Sequence, residues 1–217
     1  MNIDQILSRI IRTSGRTELL PEIDLLLNQL NDYKLYLQRD KRICFSQTTT
    51  LISALAQDRS APLPSDFLFP IALRRQNTNL CRQLVLSRWM NREEFLTQFP
   101  NLDVDGNINT GAPEDYMLLG DSIIFGPALR DAESFYLDYY RIIPEYVINV
   151  NMTDDFTVYY PDGLYLKGML WIWEDWTPDI KRAEAIQKRL TPVEVSLKKF
   201  QVNREEPMES TENLPDN

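Results

Sequence analysis

The chain has 217 residues, 43 % hydrophobic and 25 % charged, with 23 basic against 32 acidic side chains for a net charge of −9. This suits one well-packed domain, or a core with an inserted lobe, and excludes global disorder. The acidic balance argues against sequence-independent nucleic-acid binding, which needs a basic surface to release counterions. The absence of histidine removes Ser-His and Cys-His catalytic pairs, histidine-bearing zinc sites and imidazole acid–base chemistry.

Met1-Asn2-Ile3-Asp4 opens without a basic-then-apolar leader, so no signal peptide is expected. Ile3, Ile6, Leu7, Ile10 and Ile11 form one helical stripe, closed by Gly15 as a left-handed cap. A second helix is expected from Pro21, with Ile23, Leu26, Leu27, Leu30, Tyr33 and Leu37 on its buried face. The two read as an antiparallel helical hairpin. The period then changes: Ile43, Phe45, Gln47, Thr49 and Leu51 alternate as a strand, and Ala61–Pro70 reads as an ordered, extended loop. Leu80–Ser87 is expected as a strand and Asn91–Phe99 as a short helix. Tyr116–Leu119 and Ser122–Phe125 flank Gly120-Asp121, a two-residue hairpin loop, and Ser134–Arg141 adds a strand with Phe135, Leu137 and Tyr139 on one face.

Helical pattern returns at Pro161-Asp162, with Leu166, Met169, Leu170 and Trp173 as a stripe. Thr177-Pro178-Asp179 marks a restart, and Thr191-Pro192 a kink or a new helix. The apolar cluster at Leu170–Trp173 is too short to span a membrane. From about residue 201 the chain is polar and acidic, a tail that builds no core and is expected to stay mobile until bound. The expected fold class is therefore α+β: mainly a helical bundle with an inserted small antiparallel β-lobe. Its parts are a helical hairpin over 1–40, the lobe over 41–158 with its short helix, closing helices over 159–200 and the flexible tail over 201–217.

Few motifs carry chemistry. Asn101–Ile108 resembles the front half of a calcium-binding loop, but the loop's twelfth position is Ala112 instead of a bidentate carboxylate. The reading is a polar turn, with cation binding left open. Trp171, Trp173 and Trp176 could form a binding platform, although core placement is favoured for most; Trp173 and Trp176 are expected to share a helical face, with Trp171 pointing elsewhere. The pairs Glu93/Glu94, Asp154/Asp155 and Glu174/Asp175 read as solvated faces. They are also the only basis for a rival, a carboxylate-dependent peptidoglycan glycosidase. Phosphate-binding glycine loops are missing. Cys44 and Cys81 read as buried free thiols and form no CxxC pair. Neither a cofactor nor a metal is expected.

Several segments in order carry a resemblance: Leu63-Pro64-Ser65-Asp66-Phe67, Gly111-Ala112-Pro113-Glu114-Asp115-Tyr116, the Gly120-Asp121 hairpin, Phe125-Gly126-Pro127, Phe135-Tyr136-Leu137-Asp138-Tyr139-Tyr140, and Tyr160-Pro161-Asp162. The succession resembles the head-to-tail adaptor (connector) proteins of short-tailed bacteriophages, over roughly residues 1 to 195. One departure is Leu129, where the family often has a second proline.

The resemblance implies a non-enzymatic virion protein made in the host cytoplasm and placed at the head–tail junction. It implies a dodecameric ring on the portal protein, extending the DNA channel towards a tail or nozzle protein, with no membrane and no specific DNA contact. The acidic balance suits a conduit that repels DNA. Portal-binding candidates are Phe200, Glu205, Glu206, Glu209 and Glu212; candidates for contact with neighbours or tail are Tyr116, Phe125, Trp171 and Trp176. A general protein-interaction module remains a further alternative.

Overall fold

The structure, a computed structural model, describes residues 1–76, 84–102, 106–147, 150 and 152–205. It is mixed α+β, with helices in the N- and C-terminal regions and a β-rich middle. Contacts divide the chain into two compact units: Met1–Ser46 with Ile142–Asn217, and Gln47–Arg141 between them.

In the helical unit, α1 (Ile3–Ser14) is fixed at both ends by its sequence. Asn2 and Gln5 exchange side-chain-to-backbone bonds of 2.8 and 3.1 Å in a capping box. Gly15, at φ 70°, donates its N–H to the Ile11 carbonyl at 3.0 Å. The five stripe residues are all buried. A 3₁₀ turn over Thr17–Glu22 holds Pro21, so α2 (Ile23–Lys41) starts two residues later than expected. Its apolar stripe is joined on the buried side by Asn31, Lys34 and Gln38.

The β-lobe starts at Gln47. In chain order it contains β1 (Gln47–Ala54), β2 (Ser60–Pro62), β3 (Phe67–Arg75), β4 (Leu84–Val85), β5 (Ser87–Trp89), α3 (Arg92–Gln98), β6 (Thr110–Gly111), β7 (Asp115–Leu119), β8 (Ser122–Gly126), β9 (Ala128–Leu129) and β10 (Glu133–Arg141). One antiparallel sheet has the order β1-β10-β3-β4; a second has the order β2-β8-β7-β5, with β5 parallel to β7; β6 and β9 make a two-stranded parallel ribbon. Residues of both four-stranded sheets share one core, in which Phe125 and Phe135 stack at 4.8 Å. The β7–β8 hairpin turns at Gly120-Asp121, with Gly120 at φ 58°, as its two-residue loop requires.

Three sequence expectations change here. Ile43 and Phe45 do not begin a strand: they belong to the helical core, and the chain makes a 3₁₀ turn at Cys44–Ser46 before β1. On β1 the buried residues are then Ile52 and Ala54, while Leu51 faces outward and is 52 % exposed. The 61–70 stretch is no loop throughout, since it supplies β2 and the start of β3. Pro70 is tolerated in β3 beside a register shift between Asp138 and Tyr139 of β10, where the ladder is already interrupted. The expected Leu80–Ser87 strand is split, with β4 and β5 covering its end and residues 80–83 outside the described set.

The closing helices are α4 (Asp155–Tyr159), α5 (Pro161–Trp171) and α6 (Ile180–Glu205). α5 is buried almost all round, as a central helix must be. Its glycines permit close approach: a Cβ at Gly168 would lie 2.5 Å from Ile10 Cδ1, and one at Gly163 would lie 1.9 Å from the Tyr160 ring. α6 runs on through Pro192 as one helix, where the sequence suggested a break. Among the described residues no helix is long and apolar enough to cross a membrane.

Candidate interaction surfaces

Of the segments that carried the resemblance, Tyr160-Pro161-Asp162 opens α5 in the helical unit and the others lie in the lobe, where several are bonded to one another. Tyr139 donates to Asp66 Oδ1 at 2.7 Å and packs its ring on Phe67 at 5.7 Å, tying the Leu63–Phe67 turn to β10. Burial, aided by the Asp66 carboxylate, pushes the Tyr139 hydroxyl up to about 12. The Leu63 N–H donates to the Asp121 carbonyl at 2.9 Å, joining the same turn to the hairpin. Gly111 lies against Pro127 and Gly126 against Phe99, both too close to admit a Cβ without displacement. Leu129 is fully buried and its N–H donates to the Asp58 carbonyl at 3.0 Å. A proline there would lose that bond, which gives the departure at 129 a local physical reason.

The outer face of the first sheet is a row of register partners: Leu51 opposite Tyr136, Tyr136 opposite Arg74, and Arg74 opposite Val85. Leu51 and Val85 are exposed at its ends. Arg74 makes two 2.7 Å bonds to Asp138, which also accepts from Thr49 at 2.6 Å. On the second sheet a groove of ≈ 490 Å³ is lined by Leu96, Leu102, Ile108, Leu119 and the cations Arg59 and Arg92. Burial lowers the Arg59 pKa, and its Nε has no hydrogen-bond partner among the described residues. A Leu102–Ile108 bridge closes the 101–112 loop, whose Asp103 and Asp105 lie outside the described residues, and with them the cation-binding question.

The helical unit contains a polar system that the sequence reading missed. Asn31 accepts the Tyr146 N–H at 2.8 Å and donates to the Tyr146 carbonyl at 3.1 Å, while Gln38 accepts the Ile143 N–H at 2.6 Å. Lys34, 1 % exposed, donates to the Pro144 carbonyl, lies 3.3 Å from Asp154 and sits 3.6 Å above the Tyr146 ring. Desolvation lowers the Lys34 pKa against the opposing pull of Asp154. Asp154 also accepts from the Tyr146 hydroxyl and caps α4 through Thr157. It is therefore no solvated carboxylate, whereas Glu93, Glu94, Glu174 and Asp175 are exposed as read. A second cluster joins Tyr33 to Glu194 at 2.7 Å and to Tyr160 at 3.0 Å; burial raises both tyrosines, Tyr160 to about 12.

Of the candidate contact residues, Tyr116 and Phe125 lie in the lobe core and Trp171 in the helical core, while Trp176 is half-buried. The tryptophan geometry corrects the helical-face expectation. Trp171 and Trp176 pack together at 5.9 Å, because Ile172–Trp176 forms a π-helical turn with Thr177 N–H bonded to the Ile172 carbonyl. Trp173 is buried, with the Arg16 and Arg182 guanidinium groups over its ring. Phe200 and Glu205 are on the α6 backbone, with side chains outside the described set, as are Glu206, Glu209 and Glu212 entirely. Among the described residues no group of three or more His, Cys, Asp or Glu is placed to hold a metal ion.

A helical unit interrupted by a β-lobe, with most of the quoted segments inside the lobe, is the organisation that the resemblance implies. The sequence model of the SU10 adaptor protein family matches residues 1–192, and the chain belongs to that family. No curated protein matches it.

Proposed function

We propose that the protein is the head-to-tail adaptor of its virion. In this reading, copies form a dodecameric ring with heterologous, closing interfaces. The ring binds the portal protein and extends the DNA channel to a tail or nozzle protein, and DNA slides past an acidic wall without specific contact. The carrying observation is the family match, which spans both compact units and stops short of the acidic terminus. The protein is then structural, not an enzyme, and resides in the virion after synthesis in the host cytoplasm.

The portal contact is assigned to the end of α6 and residues beyond it: Phe200, Glu205, Glu206, Glu209 and Glu212. Contact with neighbours and tail falls to the lobe and the tryptophan turn. Tyr116 and Phe125 act there from the core, holding the hairpin that ends in exposed Leu119, and Trp171 supports Trp176.

Native mass spectrometry of the protein with its cognate portal ring tests the reading. Loading of many copies per portal ring is expected, and a protein that stays alone would overturn it. Deleting residues 201–217 should leave a folded chain that loads poorly; undiminished loading removes that segment from the portal interface. A cleared band in peptidoglycan zymography would favour the glycosidase instead.

A further inference from the structure

The last helix runs against the charge of the chain. α6 carries seven basic and three acidic residues in a protein of net charge −9. Lys181 and Lys188 stand two helical turns apart, as do Arg182 and Arg189, so each pair stacks along one face. All four are exposed. Arg182 is held by Asp179 at 3.3 Å and lies over the Trp173 ring. Lys181, Lys188 and Arg189 make no ion pair among the described residues. At the start of the same helix, Trp173, Pro178, Ile180 and Ala183 line an apolar pocket of ≈ 450 Å³ whose edge includes Gln187 and Lys188. Ile180 is left 76 % exposed there.

We propose that this face of α6 is a docking site for the chain's own acidic segment, residues 206–217, which folds back on it in the free protein with Leu214 in the apolar pocket. Charge selects that occupant: the segment holds four acidic and no basic residues. Reach selects it too. From Glu205 back along α6, Lys188 lies about 26 Å away and Lys181 about 36 Å. A chain extended from Glu206 covers about 20 Å by Glu212, about 26 Å by Leu214 and about 33 Å by Asp216. Leu214 therefore arrives at the pocket edge, with Glu212 and Asp216 on either side of it among the cations. Glu174 and Glu184 also line the pocket, so an apolar side chain fits it where a carboxylate does not. Pro207 disfavours helix at Glu206, which lets the chain turn there. Direct attachment to α6 holds the segment at an effective concentration on the order of millimolar.

The consequence for assembly rests on the adaptor reading. The carboxylates that clasp α6 are those assigned to the portal contact, so one segment cannot serve both at once. Portal competes with α6 for it, and loading uncovers the cationic face.

Zero-length carbodiimide crosslinking of the full chain, read by mass spectrometry on an equal mixture of isotope-labelled and unlabelled protein, tests this. Bonds from Glu212 or Asp216 to Lys181 or Lys188 are expected within single copies. Salt at about 1 M, where the screening length is about 3 Å, should remove them. Leu214→Ser, in a segment that builds no core, should lower their yield about fivefold. Lys188→Gln/Arg189→Gln should weaken the Asp216–Lys181 bond in the same way, and loading onto portal should abolish it. No bonds in the free protein, or bonds indifferent to salt or to Leu214→Ser, overturn the inference. Bonds found only between labelled and unlabelled copies overturn it in favour of exchange between neighbours. A short DNA duplex bound by the full chain, without tail bonds, hands the face to nucleic acid. Bonds that persist on the loaded ring overturn the competition with portal. Full portal loading beside any of these results leaves the adaptor reading standing. An intact clasp in a chain that never loads removes the adaptor reading alone.

Discussion

The helical unit and the β-lobe bury their interiors with different chemistry. All the buried polar side chains among the described residues, Asn31, Lys34, Gln38, Ser46 and Thr157, lie in the helical unit. The lobe core is made of aliphatic and aromatic side chains, and charges on its first sheet pair across strands, as Arg74–Asp138 and Arg75–Glu133 do. The difference follows from connectivity. A lobe of contiguous chain is held in register by its own ladders. The helical unit is interrupted, and the chain re-enters it through residues 142–147 without helix or strand. The backbone groups of that segment need partners once buried, and the polar stripe of α2 supplies them. Because Asn31 takes both the N–H and the C=O of Tyr146, the returning chain is fixed in position as well as buried.

The largest effect should come from cutting that fixation. Lys34→Ala leaves Asp154 without its cation and frees the Pro144 carbonyl, an uncompensated buried charge of the kind that costs about 3–5 kcal/mol. The double variant Lys34→Met/Asp154→Asn should recover most of the loss, since Asn also caps helices well. The lobe counterpart Arg74→Ala, with the Arg74 side chain 25 % exposed, should cost only about 1–2 kcal/mol. Urea titration separates the units optically: Trp171, Trp173 and Trp176 report on the helical unit and Trp89 on the lobe. Equal losses for the two single variants would erase the proposed distinction.

Alkaline pH sharpens the same comparison. Tyr33, Tyr146 and Tyr160 in the helical unit, and Tyr116 and Tyr139 in the lobe, all have hydroxyls raised mainly by burial. A raised tyrosine stabilises the fold fully below its unfolded value of 10, and that contribution is lost as pH climbs through the folded value, about 12 for Tyr160 and Tyr139. Lys34 acts oppositely: with its pKa lowered from 10.5, its contribution to stability improves as pH rises towards that value. The urea midpoint should therefore fall between pH 10 and 12, with the helical-unit tryptophan signal lost at lower pH than the lobe signal. Loss of the lobe signal first would contradict this ordering.

Local signals in the sequence were readable where the partner lies nearby. The α1 stripe, its Gly15 cap, the Gly120-Asp121 hairpin and the Phe135-Leu137-Tyr139 face all rest on contacts or angles within a few residues, and each is present. The face of β1 was not readable, because alternation through Ile43 and Phe45 gives no sign that the chain changes units at Ser46. The tryptophan face was lost to the π-helical turn, which shifts the helical phase after Trp171. Asn31, Lys34 and Gln38 share the side of the apolar stripe, but a periodicity argument counts polar residues as solvent-facing; their partners are backbone groups more than a hundred residues away. The candidate contact set depended on composition and resemblance, which select segments better than they select the side chains that reach the surface.

The smallest effect compares two asparagine caps. Asn2 takes part in a two-bond box at the start of a helix whose five apolar residues are buried. Asn91 accepts from Glu93 and Glu94 at 3.0 and 3.5 Å at the start of the short α3, which buries only Phe95. Replacing such a cap by alanine costs about 1 kcal/mol. Asn2→Ala should reach that figure, since fraying the first turn of α1 loosens Ile3 and Ile6 in the core. Asn91→Ala should cost about half as much, because Phe95 is still held between Trp89 and Phe99, at ring distances of 6.1 and 5.1 Å. A larger loss for Asn91→Ala would show that α3, together with the groove it lines, depends on its cap more than on this aromatic cluster.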